Sequence, residues 1–566
     1  MPKKTDYDYE PEQMPTEALV LSDATIEDEL GVKAPVKVIP PFRCLGHDSG
    51  SYFFLPKKAG QIVELNASEL TSRHLLRLAL LPFWEAHYGV PGKAPHWTEA
   101  ASDLIDKCER IGVFDPARIR GRGAWVDEGR IIFHTGECLV IDDQRVELAE
   151  LKSHFFYERR RLLDLKQAPP ASVGEAKRLL EICAALPWKN PFCAELLAGW
   201  CVVAPICGAL TWRSHIWLSG STGSGKSWTM DNIVKPLLGK IVVSVQSNST
   251  EAGIRQTLQS DALPVLFDEA ETEDKQGQVR MQQVLDLARQ ASSEDGAPIA
   301  KGSPGGIANL YKVRSCFAFT SIGVAAFKGA DLNRLTRMEF VMRSGPVGLA
   351  AFDTVVKLWG ESFNQPLFCE RMRARAMAQA VHIRDNASVF ARAIVQRGGL
   401  RRLGDQLGCL LAGAYSLQAD GPVSEDEALK WVDARDWKSF GVEVSEKDEI
   451  QALNELLGAM IDFNRASRSM GEVIKAASEL SNKTMAAEAK AALARHGVKV
   501  DLENKVILVS NSHSGLRTIF ADTAWARKWK DQFMRLPGAV DKDSVRFSGA
   551  VHRAVEIPFA VLTGGN

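Results

Sequence analysis

His215-Ile216-Trp217-Leu218-Ser219 runs straight into Gly220-Ser221-Thr222-Gly223-Ser224-Gly225-Lys226-Ser227-Trp228. His215–Leu218 reads as a short apolar strand, and a helix is predicted to begin near Gly225. The segment between them has the spacing G-x-x-x-x-G-K-S, a P-loop. Glycines at these positions let backbone N–H groups curl around phosphates. Lys226 would reach the β and γ phosphates, and the Ser227 hydroxyl would ligate Mg²⁺. The helix N-terminus adds its positive end. Gly220 through Trp228 is therefore the expected nucleotide-binding segment, with ATP and Mg²⁺ as the expected cofactors.

Further along, Pro264-Val265-Leu266-Phe267-Asp268-Glu269 reads as a buried strand ending in two carboxylates. Asp268 would complete the Mg²⁺ shell, and Glu269 would orient and deprotonate the attacking water. A carboxylate pair of this kind makes water the acceptor. A metabolite kinase would need a phosphoacceptor pocket and a lid, and no recognisable version of either is present. Hydrolysis is the expected reaction, with Lys226 and Glu269 catalytic. From His215 to Arg343 strand and helix patterns alternate, the signature of a parallel α/β sheet. Arg314-Ser315-Cys316-Phe317-Ala318-Phe319-Thr320-Ser321 reads as a further buried strand ending in two hydroxyls. Before it, Pro298–Gly302 and Ile307–Val313 flank the turn Ser303-Pro304-Gly305-Gly306. After it, Asp331-Leu332-Asn333-Arg334-Leu335-Thr336-Arg337 leads into a predicted strand Met338–Met342.

Together these motifs resemble the AAA+/superfamily III helicase module of phage and mobile-element primase-helicase proteins. The string Arg402-Leu403-Gly404-Asp405-Gln406-Leu407-Gly408-Cys409-Leu410-Leu411-Ala412-Gly413-Ala414-Tyr415 is similar to the helical segment that follows that core. So is the upstream Tyr52-Phe53-Phe54-Leu55 with Gln61-Ile62-Val63. The resemblance covers residues 40–420, strongly in the ATPase motifs and loosely elsewhere. It implies that Thr320 or Ser321 senses the γ-phosphate. It implies that the hairpin lines a central pore, where Lys301 and Lys312 would grip DNA; an ordinary surface hairpin is the competing reading. It also implies an arginine acting in the neighbouring subunit's site, Arg334 first and Arg337 second, against a structural ion-pair role. The implied protein is a ring-forming, hexameric DNA motor acting on single-stranded DNA in replication of a phage or mobile element, alongside other replication proteins. One departure is clear: neither an Asp-x-Asp metal pair nor zinc-binding cysteines are found, so primase activity is not carried over.

The flanks are read more coarsely. Residues 1–39 form an acidic tail without apolar periodicity. Residues 40–168 read as a mixed α+β N-terminal domain, with a hairpin around Lys57-Lys58-Ala59-Gly60. Residues 172–350 hold the P-loop core with its leading helices, and 351–440 a helical domain. Residues 446–566 show helices, then a hairpin around Glu503-Asn504, and are expected to be a small winged-helix-like domain. Arg118-Ile119-Arg120-Gly121-Arg122-Gly123-Ala124-Trp125 combines arginines, glycines and a tryptophan, so Arg120 and Arg122 are candidate nucleic-acid contacts. Arg159–Arg161 and Trp525–Lys530 are weaker ones, and Trp525 and Trp529 are expected to pack one helix face.

With 566 residues, several domains are expected. A net charge of −1, with 45% hydrophobic and 25% charged residues, fits a soluble globular protein and decides nothing about nucleic acid. Ten scattered cysteines without a C-x-x-C pair argue against a disulfide framework or zinc site. With no leader and no long apolar run, a bacterial or phage-infected cytoplasm and no membrane partner are expected; Leu196–Leu210 reads as a broken core helix. Two other functions remain open: an ATP-dependent DNA-binding initiator or regulator that does not unwind, and a protein-remodelling AAA+ ATPase. Basic hairpin residues favour nucleic acid, whereas Tyr311 leaves the polypeptide reading open.

Overall fold

The computed structural model describes Thr25–Glu27, Lys33–Pro35 and residues 40–268, 270, 275–296, 299–302, 308–322, 334–442, 448–479, 483–521, 523, 525–526 and 528–562. The chain divides into two compact units, Met1–Gly323 with Arg337–Arg392 and Asp405–Ala428, and Val324–Thr336 with Ala393–Gly404 and Leu429–Asn566. That division is coarser than the five segments expected from sequence.

The centre of the first unit is a five-stranded sheet. Its order is Val243–Gln246, Val265–Asp268, Phe317–Ser321, His215–Ser219, Leu335–Glu339. The first four are mutually parallel, with Gln246 opposite Asp268, Phe267 opposite Phe319, and Ser219 opposite Ser321. His215–Ser219 and Phe317–Ser321 are buried on both faces, as unbroken apolar runs in a covered parallel sheet must be. Leu335–Glu339 begins three residues before the strand expected at Met338–Met342, because Leu335, Thr336 and Met338 are themselves buried. Leu196–Leu210 is a broken core element as expected. The helix Cys193–Val203 gives way at Pro205 to the tighter turn Ala204–Ala209, all of it buried.

Five helices follow the sheet: Gly345–Phe363, Phe368–Ala378, Ala380–Gln396, Arg401–Ser416 and Glu425–Asp433. They fill the region expected to be helical. Ahead of the sheet lie a three-stranded antiparallel sheet (Phe42–Asp48, Ser51–Pro56, Val63–Asn66) and a four-stranded one. The four strands are Gly123–Asp127, Arg130–His134, Cys138–Ile141 and Gln144–Glu147.

In the second unit, Asp448–Gly458, Met470–Ser478 and Lys483–Arg495 precede the antiparallel pair Val498–Asp501 and Val506–Ser510. Helices followed by a hairpin were expected here. Sequence reading missed the longer hairpin Val540–Phe547/Ala550–Pro558, which extends the pair to a four-stranded sheet. Its charged, alternating strands carry little apolar signal. Trp529 is buried, stacks on Phe520 and donates its indole N–H to the Ser510 carbonyl at 3.0 Å. Among the described residues no helix is long and apolar enough to cross a membrane. All ten cysteines are free, and all but Cys138 and Cys369 are buried.

His134 gives the N-terminal sheet a pH dependence. It is fully buried; Nδ1 accepts the Gly136 N–H at 2.9 Å, and Nε2 lies 2.8 Å from the Glu158 carbonyl. These partners fix the neutral Nε2–H tautomer, since a proton on Nδ1 would face a backbone donor. Burial accordingly pulls the imidazole down to about 4, with Arg160 and Arg122 adding to the shift. A folded-state value below the unfolded one means stability that is complete above about pH 6.5 and lost as pH falls towards 4. The loss should approach about 3 kcal/mol. We expect the pH dependence of thermal unfolding over this range to flatten in His134→Gln; parallel profiles would refute the assignment.

Candidate nucleotide site

Ligands of open parallel sheets bind beyond the carboxyl ends of the strands. Here that edge gathers Ser219, Gln246, Asp268 and Thr320, and the P-loop springs from it. Gly223 (φ +79°) and Gly225 (φ +98°) sit in the left-handed region, which lets the loop turn twice before the helix starts at Lys226. Lys226 Nζ donates to the Gly220 carbonyl and, at 3.1 Å, to that of Ser221. Thr229 anchors the first turn by donating Oγ1–H to the Gly225 carbonyl at 3.0 Å. Ser224 is 4% exposed, and its hydroxyl has no partner among the described residues. A buried orphan hydroxyl inside a loop of glycines fits a site built to take phosphate oxygens.

The helix behind the loop is held from one side. It runs as α over Lys226–Thr229, widens to a π turn at Met230–Val234 and closes over Lys235–Leu238. Pro236 has no N–H to give the Asn232 carbonyl, and the Trp359 indole supplies that donor at 2.8 Å. At the helix end, Arg373 Nη1 donates to the carbonyls of Pro236 (3.1 Å) and Leu237 (2.9 Å). Trp228 stands edge-on to Phe352 and Trp359, at 5.4 and 6.2 Å. Its ring thus locks the helix onto Gly345–Phe363. That is a packing role, beside the expected one of lining the nucleotide.

Across the sheet edge, the Thr320 hydroxyl donates to Asp268 Oδ1, and the Thr320 carbonyl accepts the Ala270 N–H at 2.7 Å. The next residue points the other way. Ser321 is buried and its hydroxyl accepts the Trp217 indole N–H at 2.7 Å. Alternation along the strand thus divides the two candidate sensors, and Thr320 is the one on the carboxylate's side. The exposed Asp268 and Ser227 are both hard oxygen donors, the type Mg²⁺ prefers. Together they would hold Mg²⁺, whose chemistry there would be Lewis-acid neutralisation of charge developing on the phosphates. Beside Asp268 lies a cleft of about 410 Å³ lined by Met230, Lys235, Gln246, Asn248 and Ser249, among others. Sequence reading missed these polar residues; a strand as short as Val243–Gln246 carries little signal. Glu269 lies outside the described residues.

The other expected sites fall elsewhere. Ile299–Gly302 and Ala308–Tyr311 form the expected antiparallel hairpin, with Lys301 opposite Asn309 and Lys312 just past its end. Arg334 is half-buried and immediately precedes the edge strand, whereas Arg337 lies within that strand, where burial lowers its proton affinity.

The Arg118–Trp125 segment needs correction as a nucleic-acid surface. Arg120 is 9% exposed, its guanidinium lying 4.3 Å over the Trp125 ring and 4.0 Å over that of Phe155. Arg122 donates from Nε and Nη2 to Asp261 Oδ2 at 2.9 and 2.6 Å, while its backbone N–H reaches Oδ1. A Cβ on Gly121 would stand 2.3 Å from Asp261 Oδ1, so the glycine serves close approach to the core. The composition that suggested stacking on bases instead ties this segment to Asp261, just ahead of the central strand Val265–Asp268.

No family model matches the chain, and no curated protein matches it. Among solved structures it is similar to the SCCmec type IV Cch active helicase (12% identity, TM-score 0.41, covering 94% of this chain and 96% of that one). It is also similar to the apo C-terminal region of NrS-1 (12% identity, TM-score 0.29, 91% and 96%). Likeness at this level carries nothing about activity.

Proposed function

We propose that the protein hydrolyses ATP at the P-loop and uses the energy to move along single-stranded DNA, as a helicase or translocase. The observation that supports this most is the pairing of Thr320 with Asp268 on a strand lying between the P-loop strand and the acidic strand. A polar side chain there touches the carboxylate that would hold Mg²⁺, so loss of the γ-phosphate would be felt by the strand itself. The same strand begins just beyond Lys312 and the hairpin that carries Lys301, which gives the nucleotide a short route to a basic element. Ring assembly, with Arg334 completing a neighbouring site, belongs to the same proposal.

ATPase activity measured with and without single-stranded DNA, paired with mass measurement in ATP, tests it. Stimulation by DNA and an ATP-dependent oligomer are expected. Turnover indifferent to DNA would favour the protein-remodelling alternative, and stimulation without strand displacement the initiator. Lys301→Ala should lose most of the stimulation and the unwinding of a forked duplex, with Lys312→Ala weaker in effect. Phosphate contacts of this kind should also weaken with salt. If both variants unwind like the parent, the hairpin is not the grip.

A further inference from the structure

The opposite edge of the sheet holds an arrangement that the nucleotide chemistry does not use. Arg213 lies two residues before the P-loop strand, and Lys312, Arg314 and Ser315 precede the strand Phe317–Ser321. Each strand is five residues long, so this edge lies about 16 Å from the phosphate loop. Arg120 joins them from the short strand Ile119–Arg120, which pairs with Phe156–Tyr157. Its ring neighbour Trp125 is shared with Arg314, whose guanidinium stands 5.4 Å from the indole.

Buried cations are normally paired. These are not. Arg213 is fully buried, and its guanidinium donates from Nη1 to the Ala291 carbonyl at 3.3 Å. Among the described residues its Nε and Nη2 have no partner, and neither do Arg120 Nε, Trp212 Nε1 and Ser315 Oγ. Among the described residues, none of Arg120, Arg213 and Arg314 forms an ion pair with a carboxylate. Of the acids within range, Glu294 pairs with Arg384 at 3.5 Å, Asp127 accepts the hydroxyls of Tyr157 and Ser153, and Asp295 is exposed and acts on Lys312 alone of the four cations. The crowding is felt by the cations themselves. Arg314 is pushed down to about 9 by burial and by repulsion from Arg120 and Arg213. Lys312 is lowered by burial and by Arg314 and Arg213, against the pull of Glu294 and Asp295.

We propose that Arg120, Arg213, Arg314 and Lys312, with Trp212 and Ser315, form a binding site for a phosphate group at the root of the Ile299–Tyr311 hairpin. Several unused donors of fixed direction suit a tetrahedral oxyanion with several acceptors better than a spherical halide. Half-buried Lys312 and Arg314 give the side from which it enters. The phosphate is either free or terminal, or belongs to a nucleic-acid backbone. The site does not depend on the P-loop reading, and the experiment keeps the two apart.

Thermal unfolding of the full chain with millimolar inorganic phosphate is the first measurement. A saturating anion should raise the melting temperature of the parent by about 5 °C. Lys226→Ala should keep that shift, which separates this site from the P-loop. Arg213→Met should lose it. Without phosphate the same variant should melt no lower than the parent, because an unpaired buried cation is replaced by an apolar chain of similar length. A merely structural arginine would instead make the variant less stable with and without phosphate alike. Lys312→Ala, at a half-exposed position, should weaken phosphate binding about tenfold and carries the test if Arg213→Met does not fold. An equal phosphate shift in the parent, Arg213→Met and Lys312→Ala, or no shift in the parent, overturns the proposal. A single-stranded oligonucleotide then distinguishes the sources. Displacement by phosphate together with weaker binding to Lys312→Ala identifies a backbone phosphate, whereas oligonucleotide binding indifferent to both identifies a free or terminal one.

Discussion

Lys226→Ala is expected to lower ATP turnover by about 10²–10³-fold or more, the cost of removing a cation aimed at the charge that develops on a transferring phosphoryl group. The position of the ammonium explains why nothing nearby substitutes for it. Lys226 Nζ rests on the carbonyls of Gly220 and Ser221, so the loop's own backbone holds the charge over the turn that would cradle the phosphates. Binding should weaken along with turnover, because the lysine would touch the phosphates in the ground state as well. Glu269→Gln separates the two effects. Asp268, held by Thr320, and Ser227 remain, so ATP should bind near parental affinity while turnover falls about 10²–10⁴-fold, the range of a lost general base. Nucleotide titration and single-turnover hydrolysis on the same preparations check both. Undiminished turnover in the Glu269 variant would remove that residue from the catalytic assignment.

The site was legible in the sequence to the extent that its chemistry is local. A phosphate loop is one continuous segment whose glycines, lysine and serine act through neighbouring backbone, so its spacing alone announces it. The place of Asp268 at a strand's exposed end was legible because Val265–Phe267 is an unbroken apolar run. What sequence could not settle was direction. Thr320 and Ser321 are adjacent and chemically alike, and only the strand's alternation, with Trp217 engaging Ser321, decides which hydroxyl meets Asp268. The Arg118–Trp125 segment misled for a related reason. Arginine, glycine and tryptophan have the same composition whether the arginines stack on a base or on the protein's own indole, and burial by a partner 139 residues away leaves no local mark. The cations gathered at the far edge were invisible too, since Arg120, Arg213 and Arg314 are distant in sequence and converge only when the two central strands align and the Trp125 ring meets both Arg120 and Arg314. In the second unit, the hairpin near Glu503 was readable from its apolar strands. The later one, with an exposed and charged face, was not.

Arg334→Ala should bind nucleotide normally and hydrolyse it about 10³–10⁵-fold more slowly, if the arginine serves a neighbouring subunit's γ-phosphate. The fold favours it over Arg337 for that role. Arg337 is part of an edge strand and shares it with Glu339, whose charge opposes the lowering of its proton affinity by burial. Arg334 is outside the ladder, at the residue where the chain enters the strand flanking the P-loop strand. An arginine acting in trans has a signature that a structural arginine lacks. Lys226→Ala subunits carry a dead loop but an intact Arg334, and Arg334→Ala subunits carry the reverse. In a mixed ring, some interfaces set an intact loop against an intact arginine, so mixing two nearly inactive proteins should restore measurable hydrolysis. The recovery should rise and fall with mixing ratio as the fraction of such interfaces does. Subunit exchange is verified by mass in the same samples. Exchange without recovery at any ratio would mean that Arg334 supports its own subunit's fold or site, and that each chain hydrolyses ATP alone.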